Sequence, residues 1–313
     1  MDYSALFSEL KSKFPDYQIF QNHPLAPYTT LKIGGPADIF IDTPTIDQFT
    51  SILNFVYQKN PSKSPLDRGD FHQTAPCPVK GRDGEGFLTV LGNGSNVLIS
   101  DQGLRGLVIR HLNPLQAIIQ QTLAQNLVGL ENFAYIPASL GGAIVSNIHG
   151  FDKTNFNKYL DTITVFNLKT GQTENLEASK LTWGYDQSEF QSKPHLIILS
   201  ATFHLQKGDG ITARQKYDEI VKNKAQTQPL NSAGCVFKNP KDLSAGKIID
   251  DLGWKTKSVG GAQVSPLHAN FIVNTGETTA KDFYTLATSI QSDVLAKTGI
   301  NLEFEIKLLG NFS

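Results

Sequence analysis

Glycine clusters make close backbone approach to a large ligand credible in this chain. Three clusters, Gly34-Gly35, Gly92-Asn-Gly94 and Gly141-Gly142, interrupt its first half beside short apolar runs. Glycine serves wherever a backbone must turn sharply or lie close to another group. Around the clusters the apolar period keeps switching. Leu6, Phe7, Leu10 and Phe14 lie near helical spacing, and residues 46–57 and 114–127 read as helices. Residues 39–42, 87–91 and 97–100 read as short strands, as do 162–168, which end in the turn 169–172, and 196–205. Residues 211–224 form a charged helix. A helix over 243–252 stops at Gly253, a strand covers 269–274, a helix over 280–298 stops at Gly299, and a last strand runs over 301–309. No repeat or heptad runs through the chain. Such a mixture predicts an α+β fold in several pieces.

A chain of 313 residues has room for two or three cores. Its formal net charge of -1 gives no electrostatic case for nucleic acid or an anionic membrane as partner. Cys77 and Cys235 make neither a disulfide framework nor a metal site, and so few thiols fit a reducing compartment. No apolar run is long enough for a membrane span, and the first residues lack the basic and apolar regions of a signal peptide. The expected location is the cytoplasm. Residues 58–86, rich in Pro, Gly, Lys, Asp and Ser, cannot build a core and read as a surface insertion. Cys77 stands between two prolines inside it and reads as incidental.

Two segments carry chemistry. In Asn231-Ser-Ala-Gly-Cys-Val-Phe-Lys-Asn-Pro240 a small Ala-Gly pair precedes a thiol, and Lys238 offers charge to a phosphate or carboxylate. Taken alone, this is also how a strand end with a core cysteine reads. Gly92-Asn-Gly-Ser-Asn96 lies between two apolar strands. Its backbone N–H groups, with Ser95 and Asn96, suit a pyrophosphate, and a hairpin turn is the competing reading. It is neither a Walker loop nor a dinucleotide fingerprint, since no Gly-Lys-Ser/Thr occurs and no helix follows directly.

Five stretches, in order, resemble the UDP-N-acetylenolpyruvoylglucosamine reductase family of flavoenzymes of peptidoglycan precursor synthesis. They are Thr29-Thr-Leu-Lys-Ile-Gly-Gly-Pro-Ala-Asp38, Leu91-Gly-Asn-Gly-Ser-Asn-Val-Leu-Ile-Ser100, residues 129–143 with Gly129-Leu-Glu131 and Ile136-Pro-Ala-Ser-Leu-Gly-Gly-Ala143, residues 227–240, and residues 260–274. Leu302-Glu-Phe-Glu-Ile306 matches the family's last strand, and the continuity of residues 227–240 looks like the shorter, type II branch. The resemblance spans nearly the whole chain. It implies a two-subdomain FAD-binding fold of the vanillyl-alcohol oxidase type, over 1–88 and 89–206, and a substrate domain over 207–313. It implies FAD as cofactor, NADPH as reductant, a UDP-sugar as small-molecule partner and a monomer. Ile33, Gly34, Gly35, Gly92, Asn93, Gly94, Ser95 and Asn96 would wrap the FAD pyrophosphate. Pro137, Ala138, Ser139, Gly141, Gly142 and Asn147 would line the flavin. Cys235, where the family has serine, would give a proton, and Glu305 would stabilise charge on the substrate carboxylate. Glu303 has the same strand parity, and the family pattern favours Glu305. Tyr185, Lys238, Asn239 and Gln263 would contact substrate.

Three departures from the pattern stand out. The family's Tyr-Arg-Asp-Ser is Tyr185-Asp-Gln-Ser188 here, so Asp186 replaces a cation. An anion facing a carboxylate at ~4 Å costs on the order of 1 to 4 kcal/mol. The strand pair expected after Leu107-Val-Ile-Arg-His-Leu112 is missing, and Asn113-Pro114 leads almost directly into a helix. The family's Asn-x-Gly-Ala-Tyr-Gly is Asn147-Ile-His-Gly-Phe-Asp152, which places His149 beside flavin or substrate, or in a structural role. The expectation is a working, divergent reductase. Its alternatives are a homologue that binds without turnover and a related flavin oxidoreductase with another substrate.

Overall fold

The computed structural model describes residues 2–59, 79–80 and 86–312. The surface insertion expected over 58–86 falls largely outside the described residues, as does Cys77. Seven α-helices are described: α1 (Tyr3–Lys13), α2 (Ile46–Gln58), α3 (Leu115–Ala124), α4 (Leu140–Ser146), α5 (Gly210–Thr227), α6 (Ala245–Asp251) and α7 (Ala280–Thr298). With the strands below they make an α+β protein. The chain divides into two compact units, one of residues 1–21, 38–93 and 105–222, the other of 22–37, 94–104 and 223–313.

The first unit holds a five-stranded sheet in the order Gln18–Pro24, Pro36–Asp42, Leu104–Arg110, Gly86–Leu91, Val79–Lys80, most of whose residues lie in this unit. Gly86–Leu91 runs parallel to Leu104–Arg110. Ile39, Ile41, Leu88, Leu107 and Ile109 from this sheet pack with Leu6 and Leu10 of α1 and Phe49, Ile52 and Leu53 of α2. A second core gathers α3, α4 and an antiparallel sheet ordered Leu196–Phe203, Leu160–Asn167, Gln172–Glu177.

That three-stranded sheet joins the two cores. Side chains alternate across a strand. Leu196 and Ile198 enter the second core while Ile197 and Leu199 enter the first. Ile163 and Val165 likewise face one core, and Phe166 the other. A strand buried on both faces reads as a continuous apolar run, as Leu196-Ile-Ile-Leu199 does. Burying such a side chain stabilises by roughly 1.5–3 kcal/mol, so this sheet holds the unit together. After Arg110, α3 starts at Leu115 with no strand between, as expected.

The second unit is organised by α7, which packs on an antiparallel sheet of Ser258–Val259, Ala262–Val264 and Ile272–Asn274. Its Phe283, Leu286, Ile290 and Val294 meet Leu31, Ile33, Val236, Phe237, Leu302 and Ile306. The first turn of α7 is satisfied twice. Thr279 and Asp282 form a capping box, and the Asp101 carboxylate accepts from the N–H groups of Ala280 at 2.7 Å and Lys281 at 3.0 Å. The helix ends at Gly299, in the left-handed region at φ 72. Lys307–Leu309 runs parallel to Val97–Ile99. No helix among the described residues is long and apolar enough to cross a membrane.

Three expectations need correction. The strand expected over 301–309 is a ladder only at Lys307–Leu309, because Phe304 makes a single bridge to Phe237, in a loop. The strand over 269–274 shortens to Ile272–Asn274, because Asn270 pairs with that same loop. The helix over 243–252 starts at Ala245, where Ser244 caps it. Gln18–Pro24 and Gln172–Glu177 had no sequence signal, the first burying only Ile19 and the second no residue fully.

Candidate active site

The thiol segment lies in the second unit and is held from both sides. Asn270, 2% exposed, acts as a short strand edge. Its carbonyl accepts from Val236 N–H at 2.8 Å, its Oδ1 accepts from Phe237 N–H at 3.0 Å, and its Nδ2 donates to the Phe237 carbonyl at 2.8 Å. On the other side the C-terminal segment pairs antiparallel. Glu305 N–H donates to the Val236 carbonyl and Lys238 N–H to the Glu303 carbonyl, both at 2.9 Å. Glu305 is thereby placed opposite the residue that follows Cys235. Gly234 stands in the left-handed region at φ 79, and a Cβ on it would meet nothing within 4 Å. It is glycine for its backbone angle and not for lack of space. Cys235 itself is half-buried.

The register also separates the two glutamates that periodicity left equal. Glu303 is exposed and pairs with Lys238 at 3.1 Å, whereas Glu305 is half-buried. Asn239 accepts from Ala245 N–H through Oδ1 at 3.0 Å, which ties it to the start of α6. Gln263 turns back on its own hairpin, with Nε2 3.2 Å from Ser258 Oγ and 3.3 Å from the Thr256 carbonyl. Thr30 Oγ1 donates to the Ser232 carbonyl at 2.7 Å, and Asn274 Nδ2 to the Leu31 carbonyl at 2.8 Å. Stretches some 200 residues apart thus converge within this unit.

The glycine stretches sort by unit. In the second, Gly94 takes φ 60 with a Cβ position 2.3 Å from the Tyr28 carbonyl oxygen, and its own carbonyl accepts from Thr30 N–H at 3.1 Å. Gly35 packs as closely on Asp101 and Gly103. Ile33 is a core residue at 3% exposure, Gly34 adjoins Ile99, and Ser95 and Asn96 turn the chain into Val97–Ile99. In the first unit Gly92 lies against Ser139, and Asn93 Nδ2 donates to the Pro137 carbonyl at 2.7 Å. Ser139 caps α4 by accepting from Gly142 N–H at 3.2 Å, and the Ala138 carbonyl before it accepts from Leu115 N–H at 3.0 Å. The hairpin reading of residues 92–96 is excluded. Gly86–Leu91 and Val97–Ile99 belong to different sheets.

The close approach at Gly35, Gly92 and Gly94 is to protein, not to open space. Gly141 differs: a Cβ there meets nothing within 4 Å. The first turn of α4 presents bare backbone at that point, which fits the flat face of a cofactor. Asn147 is fully buried, in the left-handed region at φ 41. Its Nδ2 donates to the Gly184 carbonyl at 2.8 Å and its Oδ1 accepts from Asn157 N–H at 3.0 Å. Its side chain holds the hairpin that carries Tyr185.

One pairing was not foreseen. Asp186 meets His149 Nδ1 at 3.0 Å, and the His149 ring stacks on Tyr185 with centroids 4.9 Å apart. The residues are 37 positions apart, and the available signal was that both depart from the family pattern at once. Burial holds His268, in the second unit, below its ordinary pKa, so it is neutral near pH 7.

Comparisons with known proteins point to one family. Residues 225–309 match the family model described as UDP-N-acetylenolpyruvoylglucosamine reductase, C-terminal domain. A reductase of that name from Listeria welshimeri is 35% identical over 97% of this chain and 99% of its own. One from Pediococcus pentosaceus is 32% identical over 95% and 96%. The crystal structure of the Thermus caldophilus enzyme (MurB) superposes with a TM-score of 0.73 at 27% identity, over 94% of this chain and 99% of its own. By full-length similarity at this level, the chain belongs to the UDP-N-acetylenolpyruvoylglucosamine reductase family of FAD-dependent oxidoreductases.

Proposed function

We propose that this protein reduces the enolpyruvyl double bond of UDP-N-acetylglucosamine enolpyruvate, giving UDP-N-acetylmuramate, with NADPH as the electron source. Saturating an enol ether conjugated to a carboxylate adds a hydride to one carbon and a proton to its neighbour. Bound FAD supplies hydride chemistry that no side chain has. Cys235 gives the proton, since a thiol releases one more readily than the hydroxyl it replaces. Glu305, protonated, hydrogen-bonds the carboxylate as charge builds on it. Lys238, Asn239, Gln263 and Tyr185 contact the UDP-sugar. Ile33 through its backbone, Gly34, Gly35 and Gly92 to Asn96 hold the pyrophosphate. Pro137, Ala138, Ser139, Gly141 and Gly142 line the flavin, and Asn147 acts through the hairpin it holds.

The observation that carries this reading is the backbone register that sets Glu305 against Val236, next to Cys235. The apolar cores lend support to the division into parts. Two cores in the first unit support two FAD-binding subdomains over 1–88 and 89–206, although Leu107, Ile109, Phe166, Leu168, Ile197 and Leu199 pack in the first core. The core of the second supports the later part of a substrate domain over 207–313, together with residues 22–37 and 94–104, whereas residues 207–222 lie with the first unit, where Ala213 is a core residue. The test is an anaerobic visible spectrum of the FAD-loaded protein. NADPH should bleach the flavin band and the enolpyruvyl sugar should restore it. A band that the sugar leaves bleached would overturn the assignment.

A further inference from the structure

Asn270 uses every polar group it has on the thiol segment or on its own turn. Its carbonyl and side-chain amide take the N–H groups of Val236 and Phe237 and the Phe237 carbonyl. Its remaining group, the backbone N–H, donates to His268 Nδ1 at 3.2 Å. At 2% exposure, Asn270 has little solvent to replace a partner that it loses. His268 is restricted in turn. Phe271 N–H donates to the His268 carbonyl at 3.0 Å, and the two rings meet edge to face with centroids 4.9 Å apart. The backbone of α6 packs on the imidazole, so that a Cβ on Gly246 would come 2.8 Å from His268 Cε1 and 3.5 Å from Asn270 Cβ. All of these residues belong to the second unit.

We infer that Asn270 is a positioning residue for the proton donor and that His268 locks it only while the imidazole is neutral; this rests on the function proposed above. A neutral imidazole that accepts at Nδ1 carries its proton on Nε2. The imidazolium carries a proton on both nitrogens, so Nδ1 then faces Asn270 N–H as donor against donor. A buried N–H is left without an acceptor. The same residue holds Val236 and Phe237, so the disturbance reaches the backbone that carries Cys235 and pairs with Glu305. Burial is the main cause that keeps the His268 pKa below 6.5. Lys224 of α5 and Lys255 after α6 add to it, and Asp250 of α6, paired with Lys255 at 2.8 Å, works against it. The lock is therefore intact above 6.5 and opens as the pH falls through the lowered value. The proposed chemistry needs Cys235 and Glu305 protonated, so neither accounts for a loss of rate in acid.

The test uses the FAD-loaded protein and two variants. His268→Asn offers Oδ1 in place of Nδ1 and does not titrate, whereas His268→Leu offers no acceptor. Hydrogen exchange read by mass spectrometry, corrected for the intrinsic effect of pH, follows the N–H groups of Val236 and Phe237. In wild type their protection should fall roughly tenfold between about pH 7 and about pH 4.5, since one hydrogen bond is at stake. It should hold in His268→Asn and be low throughout in His268→Leu. At saturating substrate kcat should follow protection, with KM changed less. Wild-type protection that ignores pH, or that falls equally in His268→Asn, overturns the inference. Protection that falls while kcat holds overturns the positioning role and leaves His268 a structural support. Exchange as expected in a protein that turns over at no pH sinks the proposed function, and the positioning role with it, but not the lock.

Discussion

Replacing Gly141 with alanine should push folding and cofactor binding in opposite directions. Gly141 is the second residue of α4, and its backbone has ordinary helical handedness, since it is absent from the residues with positive φ. A Cβ there meets nothing within 4 Å, so the methyl group costs no contact in the protein. Alanine gains on glycine in a helix by about 0.5–1 kcal/mol, and a first-turn position belongs near the lower end. The apoprotein should therefore be more stable by about 0.5 kcal/mol, read from its urea midpoint at unchanged slope. If the bare backbone at Gly141 is where the flavin lies, the same methyl group intrudes on it. Overpacking by one methyl group costs about 1–3 kcal/mol, which is roughly five- to hundred-fold in the FAD dissociation constant. Flavin fluorescence titration of the apoprotein gives that constant directly. Unchanged FAD affinity in a stabilised variant would refute the assignment of this turn to the flavin. A destabilised apoprotein would refute the local argument that the position is sterically open.

Cys235→Ser should keep measurable turnover and Cys235→Ala should lose most of it; an alanine variant as fast as wild type removes the thiol as proton donor. Asp101→Ala strips two acceptors from the start of α7 and should cost about 1–2 kcal/mol in urea unfolding, whereas Asp101→Asn should recover part of it. No change in Asp101→Ala would mean that the Thr279 cap alone suffices. Burial, helped by Lys169 and Lys193, holds His195 down to about 4. A depressed histidine contributes stability above the unfolded value near 6.5 and loses it as pH falls from there towards about 4. His195→Asn should therefore lose less stability than wild type between pH 7 and pH 5, and equal losses would contradict the sign.

Much of the element order could be read locally. α7 occupies 280–298 as expected, because its cap residues, apolar period and stop glycine are all sequence-neighbours. The thiol segment, its preceding glycine and the two candidate glutamates were likewise visible as short strings. Strands without an alternating pattern were not visible. Gln172–Glu177 has Leu176 as its one apolar residue and is paired along its length by Leu160–Asn167.

The choice between Glu303 and Glu305 could not be made from a period of two, which both obey. Pairing with residues some 70 positions away makes the two differ, leaving Glu303 exposed on Lys238 and Glu305 half-buried opposite Val236. The glycine loop at 92–96 looked like a hairpin because nothing in five residues says to which sheet each flanking strand belongs. Asp186 looked like a misplaced anion until the fold brought His149 to it. Propensity, capping and turn chemistry act over a few residues and are therefore written in the chain. Partnership between distant groups depends on which apolar faces are buried together, and that is settled only when the cores form.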